Sequence, residues 1–286
     1  MQKKRQEKRR FLELLQEFVQ ELNTYVSTDD GQWTIKGFID TYKNIYTISS
    51  DTKVISKILE IHLFPKIIEC ASRHGYHVVL AEHQNYYPDF SFVHAQNEHI
   101  KFAVDLKTTY RLPNRPDFCN GFTLGSHGEY FKNRTSRKNI QFPYNDYLGH
   151  YCLGIIYTRT NSSHADERTT YTLNALHSIA SVIRDFQFFA VEKWRIASDK
   201  GGSGNTANIG SITYIPDIIS GNGMFRQLGE SWFDDYWMNY NIITMAAEDG
   251  NTRTIRRLDD FVSYRGGDPG QIVERPTQRP KRRDAS

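Results

Sequence analysis

The chain has 286 residues, 38% of them hydrophobic, and a formal net charge of +3 from 36 Lys and Arg against 33 Asp and Glu. That length can bury a sizeable core, and so mild a charge does not by itself mark a nucleic-acid binder. No apolar run approaches the ~18 residues of a membrane span. Three scattered cysteines, Cys70, Cys119 and Cys152, with no Cys-x-x-Cys, point to a reduced compartment, the cytoplasm, and away from a zinc cluster.

Residues 3–26 read as an amphipathic helix with Phe11, Leu14, Leu15, Val19 and Leu22 on one stripe, which either packs on the chain's own core or contributes to a dimer contact. Its basic start, MQKKRQEKRR, leads into a segment broken by Glu and Gln, so it is not a signal peptide. Ser50 and Asp51 suit the N-cap of a helix from about Thr52 to His74, closed by Gly75. Val54, Ile55, Ile58, Leu59, Ile61, Leu63, Ile67 and Ile68 lie nearly all round this helix and predict that it is largely buried. Glu60 on so crowded a surface needs a reason.

Strand-like runs follow at 76–81, 89–93, 100–107, 151–158 and 187–196, the last preceding the glycine-rich stretch GGSGNTANIGS. The Gly/Pro-rich, basic end predicts a disordered tail over 263–286, behind a single domain over 1–262. A helix, a run of strands and further helical sequence predict an α/β domain, a mixed central sheet flanked by helices.

The runs at 89–93 and 100–107 are joined by HAQNE and predict an antiparallel hairpin. Side chains alternate along a strand, so Lys101, Ala103, Asp105 and Lys107 share the face opposite Ile100, Phe102, Val104 and Leu106. Asp89 opens the partner strand and can reach the same place. Two carboxylates meeting at one point repel unless a cation neutralises them. Mg²⁺ takes a few carboxylate oxygens together with waters and phosphate oxygens, and a lysine alongside can offset developing negative charge. This layout suits phosphodiester hydrolysis; a solvated strand edge is the plainer alternative.

Pro88-Asp89 followed by Asp105-Leu106-Lys107 matches the signature of the PD-(D/E)xK nucleases. Ser50-Asp51-Thr52-Lys53-Val54, Gln84-Asn85 ahead of Tyr87-Pro88-Asp89-Phe90, Asp105 to Thr109, Phe122-Thr123-Leu124-Gly125 and Gly202-Ser203-Gly204-Asn205-Thr206 extend the match in order. Over roughly residues 48–240 the chain resembles the EcoRV family of type II restriction endonucleases. Ala207 stands where that family's loop carries a second Thr.

The resemblance implies a PD-(D/E)xK core and a homodimer that cuts double-stranded DNA with Mg²⁺, for which Mn²⁺ could substitute. Asp89 and Asp105 would be metal ligands, Lys107 the catalytic lysine and Glu60 an accessory acid on the metal. Gly202, Ser203, Gly204, Asn205 and Thr206 would form a major-groove reading loop. Thr52, Lys53, Gln84, Asn85, Thr109, Thr123 and Lys138 would contact or lie close to DNA. The implied site is GATATC, cut bluntly at its centre, with a cognate methyltransferase acting on the same site without contact. A structure-specific repair or recombination nuclease of the same fold, and a non-catalytic DNA-binding protein, are the alternatives.

Overall fold

The structure, a computed structural model, describes residues 2–83, 85–160, 168–202, 207–246, 251–274 and 276. In chain order the elements are α1 (Gln2–Val26), β1 (Gly37–Ile39), β2 (Asn44–Thr47), α2 (Thr52–Arg73), β3 (Tyr76–Leu80), β4 (Phe90–His94) and β5 (Asn97–Leu112). Then come β6 (Arg115–Cys119), β7 (Thr123–Ser126), α3 (Glu129–Lys132), β8 (Gly149–Arg159), β9 (Thr170–Thr172) and β10 (Ile183–Glu192). The chain continues through β11 (Ala197–Gly201), β12 (Asn208–Ser211), α4 (Ile215–Ser220), α5 (Glu230–Asn239), β13 (Thr244–Ala246), β14 (Thr252–Thr254) and α6 (Leu258–Tyr264).

The main sheet has the order β10-β8-β5-β4-β3, with β6 added to the far end of β5. Only β5 and β8 run parallel; the other pairs are antiparallel, so the sheet is mixed as expected. Both faces are covered. Phe102 and Val104 of β5 face α1 and α2, packing with Phe11, Leu15, Ile55 and Leu59. Ala103 faces the other way, into a core built with α4, α5, α6 and a second sheet, β11-β12-β7. The 97–112 strand is therefore central, and the solvated-edge alternative does not hold.

The stripe on α1 is spent inside the molecule: Phe11 stacks on Phe102 at 4.0 Å between ring centres, and Leu15 and Leu22 are fully buried. Asp51 caps α2 by accepting from the N–H groups of Lys53 (2.8 Å) and Val54 (3.1 Å), and Gly75 closes it with a positive φ of 76°. The expectation that α2 is largely buried holds for one face only. Val54, Ile61 and Ile68 are exposed, because the sheet and α1 cover only the face carrying Ile55, Leu59, Leu63 and Ile67. Glu60 stands on this half-open side and is not crowded.

The strand expected over 187–196 ends at Glu192, and Lys193–Ile196 turn into a short 3-10 helix. The packed chain also continues past 262. α6 runs to Tyr264, Ile272 packs on the core, and Val273 N–H donates to Met224 O at 3.3 Å. Among the described residues no helix is long and apolar enough to cross a membrane.

Candidate active site

The hairpin register places the two predicted acids opposite one another. Phe90 pairs with Val104, so one step along, Asp89 stands across from Asp105. On its other side Asp105 pairs with Cys152 of β8, and Lys107 with Gly154. Central strands are buried on both faces, yet β5 alternates apolar and charged residues here. Asp105 is only 4% exposed. A buried carboxylate persists where partners hold it, and those partners are visible.

Lys107 Nζ lies 2.8 Å from Asp105 Oδ2. Asp89 N–H donates to Asp105 Oδ1 at 3.3 Å, and Leu106 N–H donates to Asp89 Oδ2 at 2.8 Å. Burial and the neighbouring charge of Asp105 push the Asp89 carboxyl up to about 6, against the pull of Lys107 and the Leu106 N–H. Burial alone would lower the Lys107 pKa, but Asp105 and Asp89 outweigh it and hold the ammonium well above its ordinary range. The acid pair thus favours the charged form of Lys107.

This donor set fits a hard divalent cation. Two carboxylates meet at one end of paired strands, and burial first, then the neighbouring Asp105 charge, makes the ionised form of Asp89 costly, a cost such a cation would relieve. Asp89 and Asp105 are the protein oxygens available to it. Glu60 does not complete a three-acid cluster: among the described residues no three His, Cys, Asp or Glu side chains are grouped to hold a metal. Glu60 instead pairs with Lys57, one turn earlier, at 2.7 Å. Its charge still contributes to raising the Asp89 pKa, so it acts on the site from nearby.

A groove of about 470 Å³ opens just past Lys107, lined on β5 by Thr108, Thr109 and Tyr110; Asp89, Asp105 and Lys107 themselves do not line it. Thr52, Lys53 and Glu60 of α2 and Thr109 of β5 line it together, four residues the sequence had singled out. Thr109 Oγ1 donates to Asn120 O at 2.5 Å. Thr123 lies apart, on β7 of the second sheet, where the space a Gly202 side chain would need is taken by its methyl, 2.6 Å away. Gly202 N–H donates to Asn208 O at 2.8 Å and closes the root of the glycine-rich loop. Asn85 is exposed in a turn closed by Tyr86 N–H on His83 O (2.9 Å). Lys138 is exposed on a loop tied to the site: Tyr87 N–H donates to Asn139 O (3.1 Å) and Gln141 N–H to Tyr87 O (2.8 Å). Gln84 and Ser203, Gly204, Asn205 and Thr206 lie outside the described residues.

Sequence reasoning missed several groove residues. Ser56 and Lys57 line it, Ser56 being hydrogen-bonded to Thr108, and so do Tyr110, Asn120, Gly121 and Tyr157. The signal for the first two was available, since they stand one helical turn beyond Thr52 and Lys53. Also unforeseen is a buried polar layer behind the aspartates, in which Tyr87 and His150 Nδ1 are hydrogen-bonded at 3.0 Å and Tyr144 stacks on His150 at 3.7 Å.

Comparison with known proteins places this geometry in context. Residues 29–266 match the family model described as restriction endonuclease EcoRV. The type II restriction enzyme EcoRV of Escherichia coli is 37% identical over 222 residues, covering 77% of this chain and 88% of that protein. The paired aspartates, the lysine and the groove all fall inside the matched span.

Proposed function

The chain belongs to the EcoRV restriction endonuclease family, and from that premise we propose that it is a Mg²⁺-dependent homodimer cutting both DNA strands at GATATC with a blunt central cut. The observation that carries the chemistry is the Asp89–Asp105–Lys107 arrangement on paired strands, with a groove that begins at the next residue, Thr108.

Asp89 and Asp105 would hold the cation, which when bound supplies charge stabilisation at the scissile phosphate and a more acidic water. Lys107 aims its positive charge at the same point, where it can hydrogen-bond the attacking water or a phosphate oxygen and offset the charge that develops. Glu60, paired with Lys57, tunes the field at Asp89. Mn²⁺, with a similar preference for oxygen donors, would substitute for Mg²⁺.

Recognition is assigned to the loop rooted at Gly202, with Ser203, Gly204, Asn205 and Thr206 reading base edges in the major groove. An Asn amide pairs bidentately with adenine, and a Thr methyl meets the thymine methyl. Thr52, Lys53, Gln84, Asn85, Thr109, Thr123 and Lys138 would hold backbone and flanking groups.

A dimer is supported by an apolar surface on the three-stranded sheet β1-β2-β9. Phe38, Ile39 and Tyr46 stand exposed there, with Leu173 and Leu176 just after β9. Phe38 and Tyr46 are cross-strand partners on one face of that sheet, and exposed apolar side chains so placed suit an association site. A second copy across a two-fold axis would cover it and present a second active site to the other strand of a palindrome. The apolar stripe of α1, by contrast, is already buried, so α1 could add to a dimer only through its polar face.

The test is digestion of a plasmid carrying one GATATC site, with Mg²⁺, followed by sequencing of the ends. Blunt ends at the TA step support the reading. Staggered ends or other sites overturn the specificity, and intact DNA overturns the activity. Nicking without fragments would favour a structure-specific nuclease.

A further inference from the structure

The charges of α1 are sorted along its length. Residues 2–10 carry six cations, Lys3, Lys4, Arg5, Lys8, Arg9 and Arg10, against one acid, Glu7. Residues 11–26 carry three acids, Glu13, Glu17 and Glu21, and no lysine or arginine. This order opposes the helix dipole, which favours acids in the first turn and cations in the last; α1 has neither. A face that served only solubility would intersperse the two signs. Helix stability therefore does not account for the basic start.

Most of these cations are left without a partner by the fold. Lys8 is held between Glu192 (3.1 Å) and Glu230 (2.6 Å), and Arg9 pairs with Glu13 at 2.8 Å. Lys3, Lys4, Arg5 and Arg10 are exposed, and no acid pairs with them among the described residues. The helix that carries them is fixed: the Tyr151 hydroxyl donates to Lys8 O at 2.8 Å, and Phe11 stacks on Phe102. Lys4 and Arg5 line a cavity of about 340 Å³ together with Lys8 and Arg134. The two acids in its wall, Glu230 and Asp234, are already neutralised by Lys8 and by Arg134 (2.9 Å), so the cavity is net positive.

This basic surface lies at the end of the sheet away from the groove. Tyr151, bonded to Lys8, pairs with Val104, and the groove opens four residues further along β5, at Thr108. From Lys8 onward α1 runs toward the groove end: Thr34 N–H donates to Val26 O, Trp33 N–H donates to Ile183 O, and Ile183 pairs with Arg159 at the far end of β8. Residues before Lys8 therefore project past the opposite end, on the side turned from a duplex held in the groove. A membrane is a poor match, because the apolar stripe of α1 is buried in the core and leaves nothing to insert. The chain's family cuts DNA, and a cluster of unpaired cations on a fixed helix complements the phosphates of a duplex. We propose that Lys3, Lys4, Arg5 and Arg10 form a docking surface for the sugar-phosphate backbone of a second segment of duplex DNA, separate from the one in the groove. Such contacts carry no sequence information. They hold the enzyme on non-specific DNA and weaken steeply with salt as counterions compete. The proposal does not depend on GATATC being the target.

The experiment compares the full chain with the variant Lys3→Gln/Lys4→Gln/Arg5→Gln/Arg10→Gln. The probe is a short fluorescent duplex without GATATC, in EDTA, with binding followed by anisotropy over a range of salt. The wild type is expected to bind more tightly, with a slope of log affinity against log salt steeper by about 2–3, since each phosphate contact contributes ~0.9. Equal affinity and slope overturn the proposal. The variant is expected to melt no lower than the wild type, because removing cations from a helix N-terminus relieves the dipole. Melting several degrees lower would assign these cations to the fold and overturn the proposal. Wild type bound to an immobilised duplex is expected to retain a second, labelled duplex, and the variant is not; no retention by the wild type, or equal retention by both, overturns the second segment. Phosphatidylserine vesicles that separate the two proteins more than the duplex does would make the partner a membrane and overturn it too. With Mg²⁺ the variant is expected to cut a short GATATC duplex at the wild-type single-turnover rate, and a slower rate would place α1 at the groove and overturn a separate surface. Cutting by neither protein counts against the proposed function, and the salt slope then decides the role of α1 by itself.

Discussion

Asp89 and Asp105 are held by each other's strands: the Asp89 N–H donates to the Asp105 carboxylate at 3.3 Å, while the Asp89 carboxylate accepts from Leu106, the residue after Asp105, at 2.8 Å. Neither side chain can turn away without losing a bond made by the other's backbone. The geometry that brings two like charges together is thus written into the hairpin register.

Asp89→Asn, Asp105→Asn and Lys107→Met are each expected to lower the single-turnover cleavage rate by at least about 10²-fold, the scale of losing one transition-state electrostatic contact. Circular dichroism should show an intact fold in each. Glu60→Gln should cost less, because Glu60 acts on Asp89 through its field and not from within the acid pair. Quench-flow rates on a GATATC duplex check the order.

The pH dependence follows from Asp89. Its pKa rises on folding from 3.8 to about 6, so the folded, metal-free protein favours the protonated form. The stabilisation this gives is fully present below pH 3.8 and is lost as pH rises through about 6. A divalent cation must displace that proton. Cleavage should therefore fall as pH drops through 6, and Ca²⁺ should raise the melting temperature more at pH 7.5 than at pH 5. An equal Ca²⁺ shift at both values would remove Asp89 from the cation site.

Phe38→Asp combined with Tyr46→Asp should leave the core untouched, since both side chains are exposed, while placing charge on the apolar sheet. Sedimentation should show a dimer for the wild type and a monomer for the variant, with double-strand cutting lost. A dimeric double variant would direct the search to another face.

Gly154→Ala should destabilise the fold by roughly 1–3 kcal/mol, the range for overpacking. A methyl there would lie 1.9 Å from the Phe189 ring, and Gly154 is the strand partner of Lys107. Urea unfolding gives the stability, and the cleavage rate should fall with it as the lysine is displaced.

Much of the site was legible because it is local. Asp89, Asp105 and Lys107 lie on one hairpin, and period-two alternation alone brings them together. The α2 cap was readable from Asp51 and Gly75 for the same reason. What escaped depends on tertiary placement. The apolar residues of α2 suggested a largely buried helix, but only the side facing the sheet and α1 is covered, and Glu60 sits where covering stops. Lys193 follows a run that reads as a continuing strand, and no local pattern shows that the chain turns there. The end of the packed chain was set too early because Gly and Pro after 265 suggested a tail, whereas Ile272 returns to the core.

The glycine-rich loop is anchored at both ends. Gly202 is bonded to Asn208 and wedged against the Thr123 methyl, while Ala207 O accepts from the His127 N–H at 2.8 Å. These anchors belong to β11-β12-β7, a sheet separate from the one that carries the aspartates. For an engineer this is a socket. On the proposed reading of this loop as the base-reading element, segments of other composition and length spliced between positions 202 and 207 are expected to change target preference while the sheet that carries the aspartates stays as it is.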